Sequence, residues 1–260
     1  MKKILSAIIG VSALALVSCS NKSEPPVAPE AYTQTQANGF VETIATPVVI
    51  NEILNDPKTP TFGPKDAKQA VVVFFDFGCG TCAQISKQVA KLTKEHPNTK
   101  FIFKAYPSPK RDAKVPNYAS LIASEAYLQG GSELFMAYDK AIFDQRIANG
   151  KLTESDVDGV AGHLGIDFDK KELLEKAKTE ELQTRKLGKT IGFKGPHDII
   201  IMPTKLAGMS QAELNQNADS IRKDIFVISH RDAEKKGLDS VGIAKWEGQE
   251  ITRTLNKIGN

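Results

Sequence analysis

Two cysteines three residues apart, in Cys79-Gly80-Thr81-Cys82, have the type and spacing to exchange a disulfide. They follow the apolar run Ala70-Val71-Val72-Val73-Phe74-Phe75 after only Asp76-Phe77-Gly78 and directly precede a helical pattern. Residues three apart at a helix start share a face, so the two thiols can close a small ring without moving the backbone. The first sulfur lies near the free N–H groups and positive dipole end of the helix, which stabilise thiolate, the attacking species. Ile85, Val89 and Leu92 mark one apolar helical face, Lys87, Lys91 and Lys94 fall mostly outside it, and Pro97 stops the helix. This spacing predicts an exposed nucleophile at Cys79 and a buried partner at Cys82.

Two other uses of the pair fit less well. A zinc site needs two further ligands at local spacing, but the remaining cysteine is Cys19 and the histidines (His96, His163, His197, His230) are scattered singly, so neither metal nor other cofactor is expected. A purely structural disulfide closing so short a loop would constrain the unfolded chain little.

The elements that must position the pair can be read on either side of it. Lys100 to Tyr106 sets Phe101, Phe103 and Ala105 against Ile102, Lys104 and Tyr106, the pattern of a buried strand, so strand, helix and strand imply a parallel pair with a crossover. From 117 to 190 the pattern is helical. Ala119, Ile122, Ala123, Ala126 and Tyr127 form one stripe, and Leu134, Ala137, Tyr138, Ala141 and Ile142 a second. Thr153 opens a third helix ending at Gly165, and Asp169 with Glu172 forms a capping box for a fourth. Ile199-Ile200-Ile201 restores strand character, and Gln249 to Ile258 supplies a short final helix.

Residues 1–18 read as a targeting segment, with Lys2 and Lys3 before the apolar stretch Ile4 to Val17, too short for a permanent bilayer span. Leu16-Val17-Ser18-Cys19 resembles a bacterial lipoprotein signal, which implies lipidation of Cys19 and, with Ser20 after it, an outer-membrane anchor facing the periplasm. Residues 19–38 lack large apolar side chains and read as a flexible tether. Removing residues 1–18 takes two of the 34 basic residues and none of the 31 acidic ones, leaving 32 against 31, a net charge of +1 with no footprint for nucleic acid. The lysines from Lys104 to Lys114, and Lys235-Lys236, read as solvated faces. With Cys19 lipidated, both remaining thiols lie in the motif, and a disulfide persists in an exported protein.

The strand with Phe74-Phe75-Asp76-Phe77-Gly78-Cys79-Gly80-Thr81-Cys82, the Phe101 strand, the helical stretch and the Gly195-Pro196 turn before a strand together resemble the DsbA-type thiol:disulfide oxidoreductases, and Asn55-Asp56-Pro57 through Gly63 resembles their lipoprotein-like branch. The resemblance spans about residues 50–204. It implies an α/β fold: a thioredoxin fold with an inserted helical domain, divided into residues 39–116 (lead-in and first part), 117–190 (insertion) and 191–260 (second part). It also implies a cis-proline facing the cysteines. Pro196, preceded by Gly195, is the first candidate, with Pro203 of Met202-Pro203-Thr204 the alternative. His197 would then lie close to the cysteines and could stabilise thiolate. Val73, six residues before Cys79, stands where relatives often bury a carboxylate. Asp76 is nearby but reads as a partly exposed strand-end residue.

The function so implied is disulfide formation, reduction or isomerisation in exported cysteine-containing proteins, with an unidentified redox partner resetting the pair and a lipid anchor holding the enzyme in the envelope. The alternative from another class is a surface lipoprotein that binds or holds partners, its disulfide incidental.

Overall fold

The computed structural model describes residues 34–108, 113–167 and 171–258. The targeting segment, Cys19, most of the tether and Asp169 of the expected capping box lie outside the described residues. Helix α1 (Gln34–Ile44) begins within the stretch expected to be tether, and α2 (Pro47–Leu54) follows.

The frame is a five-stranded sheet of order β1-β3-β2-β4-β5, with β1 at Thr61–Phe62, β2 at Gln69–Phe75, β3 at Thr99–Ala105, β4 at Ile199–Pro203 and β5 at Phe226–Ile228. Strands β2 and β3 are parallel and joined by α3 (Gly80–Glu95), the crossover that the sequence implies; the other pairings are antiparallel. Strand pleating then sorts side chains by parity. Val71, Val73 and Phe75 of β2, with Ile199 and Ile201 of β4, enter one core with Cys82, Ile85, Val89 and Leu92 of α3. Ala70, Val72 and Phe74, with Ile200 and Met202, enter a second core against Ile44, Ile50 and Ile53 of α1 and α2. Both faces are therefore covered, and each fully buried large aliphatic contributes roughly 1.5–3 kcal/mol.

The insertion consists of α4 (Lys114–Asn149), α5 (Glu154–His163) and α6 (Lys171–Ile191). The two apolar stripes expected as separate helices are two helical segments of α4, interrupted at Gly131, whose φ of 65° and ψ of −154° are not helical. Thr153 caps α5 through the capping box it forms with Asp156. Aromatic rings fasten α4 to the segment after β2: Phe77 packs 4.9 Å from Phe143 and 5.9 Å from Tyr138 between ring centroids. Such pairs add roughly 0.5–1.5 kcal/mol each beyond area burial.

After β4 come a 3-10 turn at Thr204–Gly208, α7 (Gln211–Gln216) and α8 (Ala218–Lys223), then β5, α9 (His230–Glu234) and α10 (Ser240–Ile258). Helix α10 starts nine residues before the expected final helix, and its length lets Glu247 reach the site below.

Lys104 departs furthest from expectation. Rather than lying on a solvated face it is 1 % exposed, with Nζ 3.6 Å from Asp56 Oδ2 and 3.4 Å from Glu180 Oε1, and it donates to Thr59 Oγ1. Thr59 and Thr184 also donate to Glu180. A buried ammonium persists only when paired; here the pairing ties the lead-in, β3 and α6 together.

Candidate active site

Cys79 is the N-cap of α3, with extended backbone (φ −88°, ψ 120°), and its sulfur accepts the Cys82 N–H at 3.2 Å. An N-cap acceptor normally is an oxygen; placing sulfur there aims free helix-end N–H groups at it. The Cys82 side chain donates as well, and His197 adds positive charge. Together these outweigh burial and bring the Cys79 thiol down to about 6. Burial, joined by the Cys79 charge, pushes Cys82 up. Two thiols of one turn are thereby driven apart, one ionised near neutrality and one held protonated.

The expected exposure of Cys79 is not met: Cys79 is 5 % exposed and Cys82 2 %. The inserted helix covers the loop. Arg146 of α4 donates from Nε to Gly78 O at 3.0 Å and also donates to Gly150 O. A Cβ at position 78 would meet Pro116 Cγ at 2.7 Å, so glycine there lets α4 close over the motif, whereas one at 80 would only touch the Arg146 guanidinium at 3.4 Å. Thr81 faces the other way, its Oγ1 3.1 Å from Ser240 Oγ.

Asp76 is also buried, at 1 % exposure, contrary to the strand-end reading. Its carboxylate accepts from Gly78 N at 2.7 Å and Ser108 N at 3.0 Å, and its backbone oxygen accepts from Cys79 N at 2.9 Å. It shapes the turn that delivers Cys79 to the helix start.

The second wall is the segment before β4. Gly195, Pro196 and His197 are all buried. His197 N donates to Phe74 O at 2.7 Å and Phe74 N to Asp198 O at 2.9 Å, so antiparallel pairing continues past Ile199 to the end of β2 nearest the motif. The alternative, Pro203, pairs with Gln69 at the opposite end of β2 and is thereby removed from the cysteines. The described residues contain no cis peptide bond, so the cis-proline expected at Pro196 is corrected. The reversal here falls to His197, whose φ of 59° is left-handed.

His197 Nδ1 is 2.9 Å from Glu247 Oε1 of α10, a partner that sequence reading missed because nothing in spacing links residues fifty apart. Burial alone would lower the imidazole; the Glu247 carboxylate outweighs it and raises the His197 pKa. A neighbouring pair, His230 and Asp198, is joined through Asp198 Oδ1, which accepts from His230 N at 2.9 Å and lies 3.1 Å from His230 Nδ1; the two imidazole rings stand 5.6 Å apart. Val73, Cys82, Ser86, Asp139 and His197 line a small cavity of about 10 Å³ under α3.

A family model described as Thioredoxin matches residues 55–224. Among curated proteins no significant match is found. Solved structures share the fold. BcfH of Salmonella enterica Typhimurium is 23% identical, with 82% of this chain and 84% of that one covered and a TM-score of 0.58. The thiol-disulfide exchange protein alpha-DsbA2 of Wolbachia pipientis is 19% identical, covering 74% and 99%, with a TM-score of 0.56. The catalytic domain of Proteus mirabilis ScsC is 18% identical, covering 71% and 99%, with a TM-score of 0.54. With its five-stranded sheet, its helical insertion between β3 and β4, and a family match over residues 55–224, this chain belongs to the thioredoxin family and has the DsbA-like form of its fold.

Proposed function

We propose that the protein is a thiol:disulfide oxidoreductase of the cell envelope in which Cys79 attacks a disulfide of an exported protein and Cys82 resolves the mixed disulfide. The observation that carries this reading is the placement of Cys79 at the N-cap of α3, its sulfur accepting the Cys82 N–H at 3.2 Å while Cys82 is buried behind it, an arrangement that lowers the Cys79 thiol and raises Cys82. An incidental disulfide needs no such asymmetry, which weighs against the rival reading of a binding or holding lipoprotein.

Exchange proceeds by thiolate attack, and a thiol with pKa near ambient pH is the fastest attacker because nucleophilicity falls as pKa falls. A thiol near 6 lies closer to the value of about 7 in thioredoxin than to about 3.5 in DsbA. That supports an intermediate poise, suited to isomerising as well as reducing or oxidising. His197, held by Glu247, adds positive charge that stabilises the thiolate. Location rests on the leader: residues 1–18 deliver the chain for export, and lipidated Cys19 anchors it, facing the periplasm.

The test is catalysis of glutathione-dependent reduction of a disulfide-bonded protein substrate. Wild-type protein accelerates it, Cys79→Ser does not, and Cys82→Ser accumulates mixed disulfides through Cys79. Equal activity of wild type and Cys79→Ser would end this reading. Cys19→Ala tests the anchor separately: the protein leaves the membrane fraction and keeps its exchange activity.

A further inference from the structure

Resolution of the mixed disulfide requires Cys82 to lose a proton, yet its surroundings oppose ionisation. A proton acceptor must lie beside it; Val73 of β2, which lines the same cavity as Cys82, has none to offer, and the Asp76 carboxylate, whose charge also acts on Cys82, is already engaged by Gly78 N and Ser108 N. The inserted domain supplies one. Cys82 and Ser86 are one turn apart on α3 and share a face. Ser86 Oγ donates to Asp139 Oδ2 at 2.6 Å, which holds this α4 carboxylate, 4 % exposed, against that face. Cys82, Ser86 and Asp139 line the same cavity of about 10 Å³, close to the room one bridging water needs.

We propose that Asp139 is the group that takes the Cys82 proton when the mixed disulfide is resolved, and returns it when exchange runs in reverse. This rests on the oxidoreductase reading above. In the forward step the Asp139 carboxylate accepts the thiol proton, directly or through one water. The Cys82 sulfur then bonds to Cys79 Sγ, and the Cys79–substrate S–S bond breaks with its electron pair leaving on the substrate sulfur. The substrate disulfide is reduced and the Cys79–Cys82 dithiol oxidised; the Asp139 proton passes on to the departing thiolate or to solvent.

The groups facing Asp139 fit this role. Cys82 of α3 and His197 of the segment before β4 line the same cavity as Asp139, and Glu247 of α10 is paired with His197. Tyr138 beside it on α4 has its hydroxyl committed to Ala119 O at 3.0 Å. Burial brings the Asp139 carboxyl up to about 7, with the Ser86 hydrogen bond working against that rise. An acceptor near neutrality is suited both to taking and to returning a proton. His197 lines the same cavity, but its Nδ1 is engaged by Glu247 and its charge acts on Cys79.

The experiment is a single turnover of the full-length reduced protein with dithiobis-nitrobenzoate, which releases one chromophore when Cys79 attacks and a second when Cys82 resolves. Asp139→Asn, which keeps an acceptor for Ser86, slows the second phase by about 10²-fold at neutral pH and flattens its pH profile, leaving the first phase unchanged. Ser86→Ala removes the bond that holds the carboxyl down and moves the second-phase midpoint to higher pH, a shift that a merely structural role would not produce. His197→Ala alters the first phase and its midpoint instead. A second phase with unchanged rate and midpoint in Asp139→Asn overturns the proposal, and if that variant does not fold, an unmoved midpoint in Ser86→Ala does so. Absence of the first phase in the wild type would instead overturn the oxidoreductase reading itself.

Discussion

Replacing Cys82 by alanine removes the donor that contributes most to holding the Cys79 thiol at about 6. Hydrogen bonds to charged groups are worth about 1.5–3 kcal/mol, but a thiol is a weak donor, so a loss near the lower end, about 1.4 kcal/mol, is expected. That corresponds to about one pKa unit and moves Cys79 toward about 7. The Cys82 N–H, 3.2 Å from the sulfur, stays in place and keeps the value well below that of an ordinary thiol. At pH 7 the thiolate fraction drops from about nine-tenths to about half, while intrinsic nucleophilicity rises about threefold. The two changes partly offset and leave a net rise of only about 1.6-fold, so alkylation at a single pH would reveal little of the effect, and a full titration by thiolate ultraviolet absorbance is the right assay. Cys82→Ser restores a stronger donor and keeps the midpoint near 6 or below it. An alanine variant that still titrates at about 6, or a serine variant that rises as far, would refute the assignment of Cys82 as the stabilising donor.

Three further outcomes follow from the geometry. His197→Gly, at a position with φ of 59° where alanine would pay roughly 1–2 kcal/mol in backbone strain, raises the Cys79 pKa and lowers the reduction potential by about 30 mV for each 1.4 kcal/mol of lost thiolate stabilisation; an unchanged potential in a glutathione series contradicts it. Lys104→Met leaves Asp56 and Glu180 without their cation and costs about 3–5 kcal/mol in denaturant unfolding with the Cys79 titration unmoved; a loss below about 1 kcal/mol would show the buried network to be dispensable. Because Cys79 is depressed from 9.0 to about 6, its contribution to the stability of the reduced protein is fully present above pH 9 and lost as pH falls through 6, an upper bound of about 4 kcal/mol; reduced wild type and Cys79→Ser should therefore diverge in melting temperature across that window.

The motif, its parallel βαβ setting and the helical insertion were legible because each is written locally. Alternation in β2 and β3, the 3.6-residue stripes of α3 and α4, and the helix-start position of Cys79 all follow from residues within a few turns of one another. What the sequence hid depends on long-range pairing. The charge of Lys104 reads as solvent-seeking until Asp56 and Glu180 are brought to it from 48 and 76 residues away. Asp76 looks like a strand end until Ser108 N arrives to share its carboxylate. Glu247 and Asp139 carry no motif at all, since their roles come from α10 and α4 packing around α3. Cys79 was expected to be exposed because the helix start alone does not reveal that Pro116 and Arg146 of the insertion close over Gly78 and Gly80. The left-handed His197 gave no local signal either, as histidine there has no compositional mark.

The division of labour between the two thiols is tested most directly by limiting iodoacetamide at neutral pH on the fully reduced protein, followed by peptide mapping. Modification at Cys79 with Cys82 protected, and a Cys79 rate profile that turns over near pH 6, is the result this structure requires. Modification of Cys82 first, or of both at equal rates with a midpoint near 9, would contradict it.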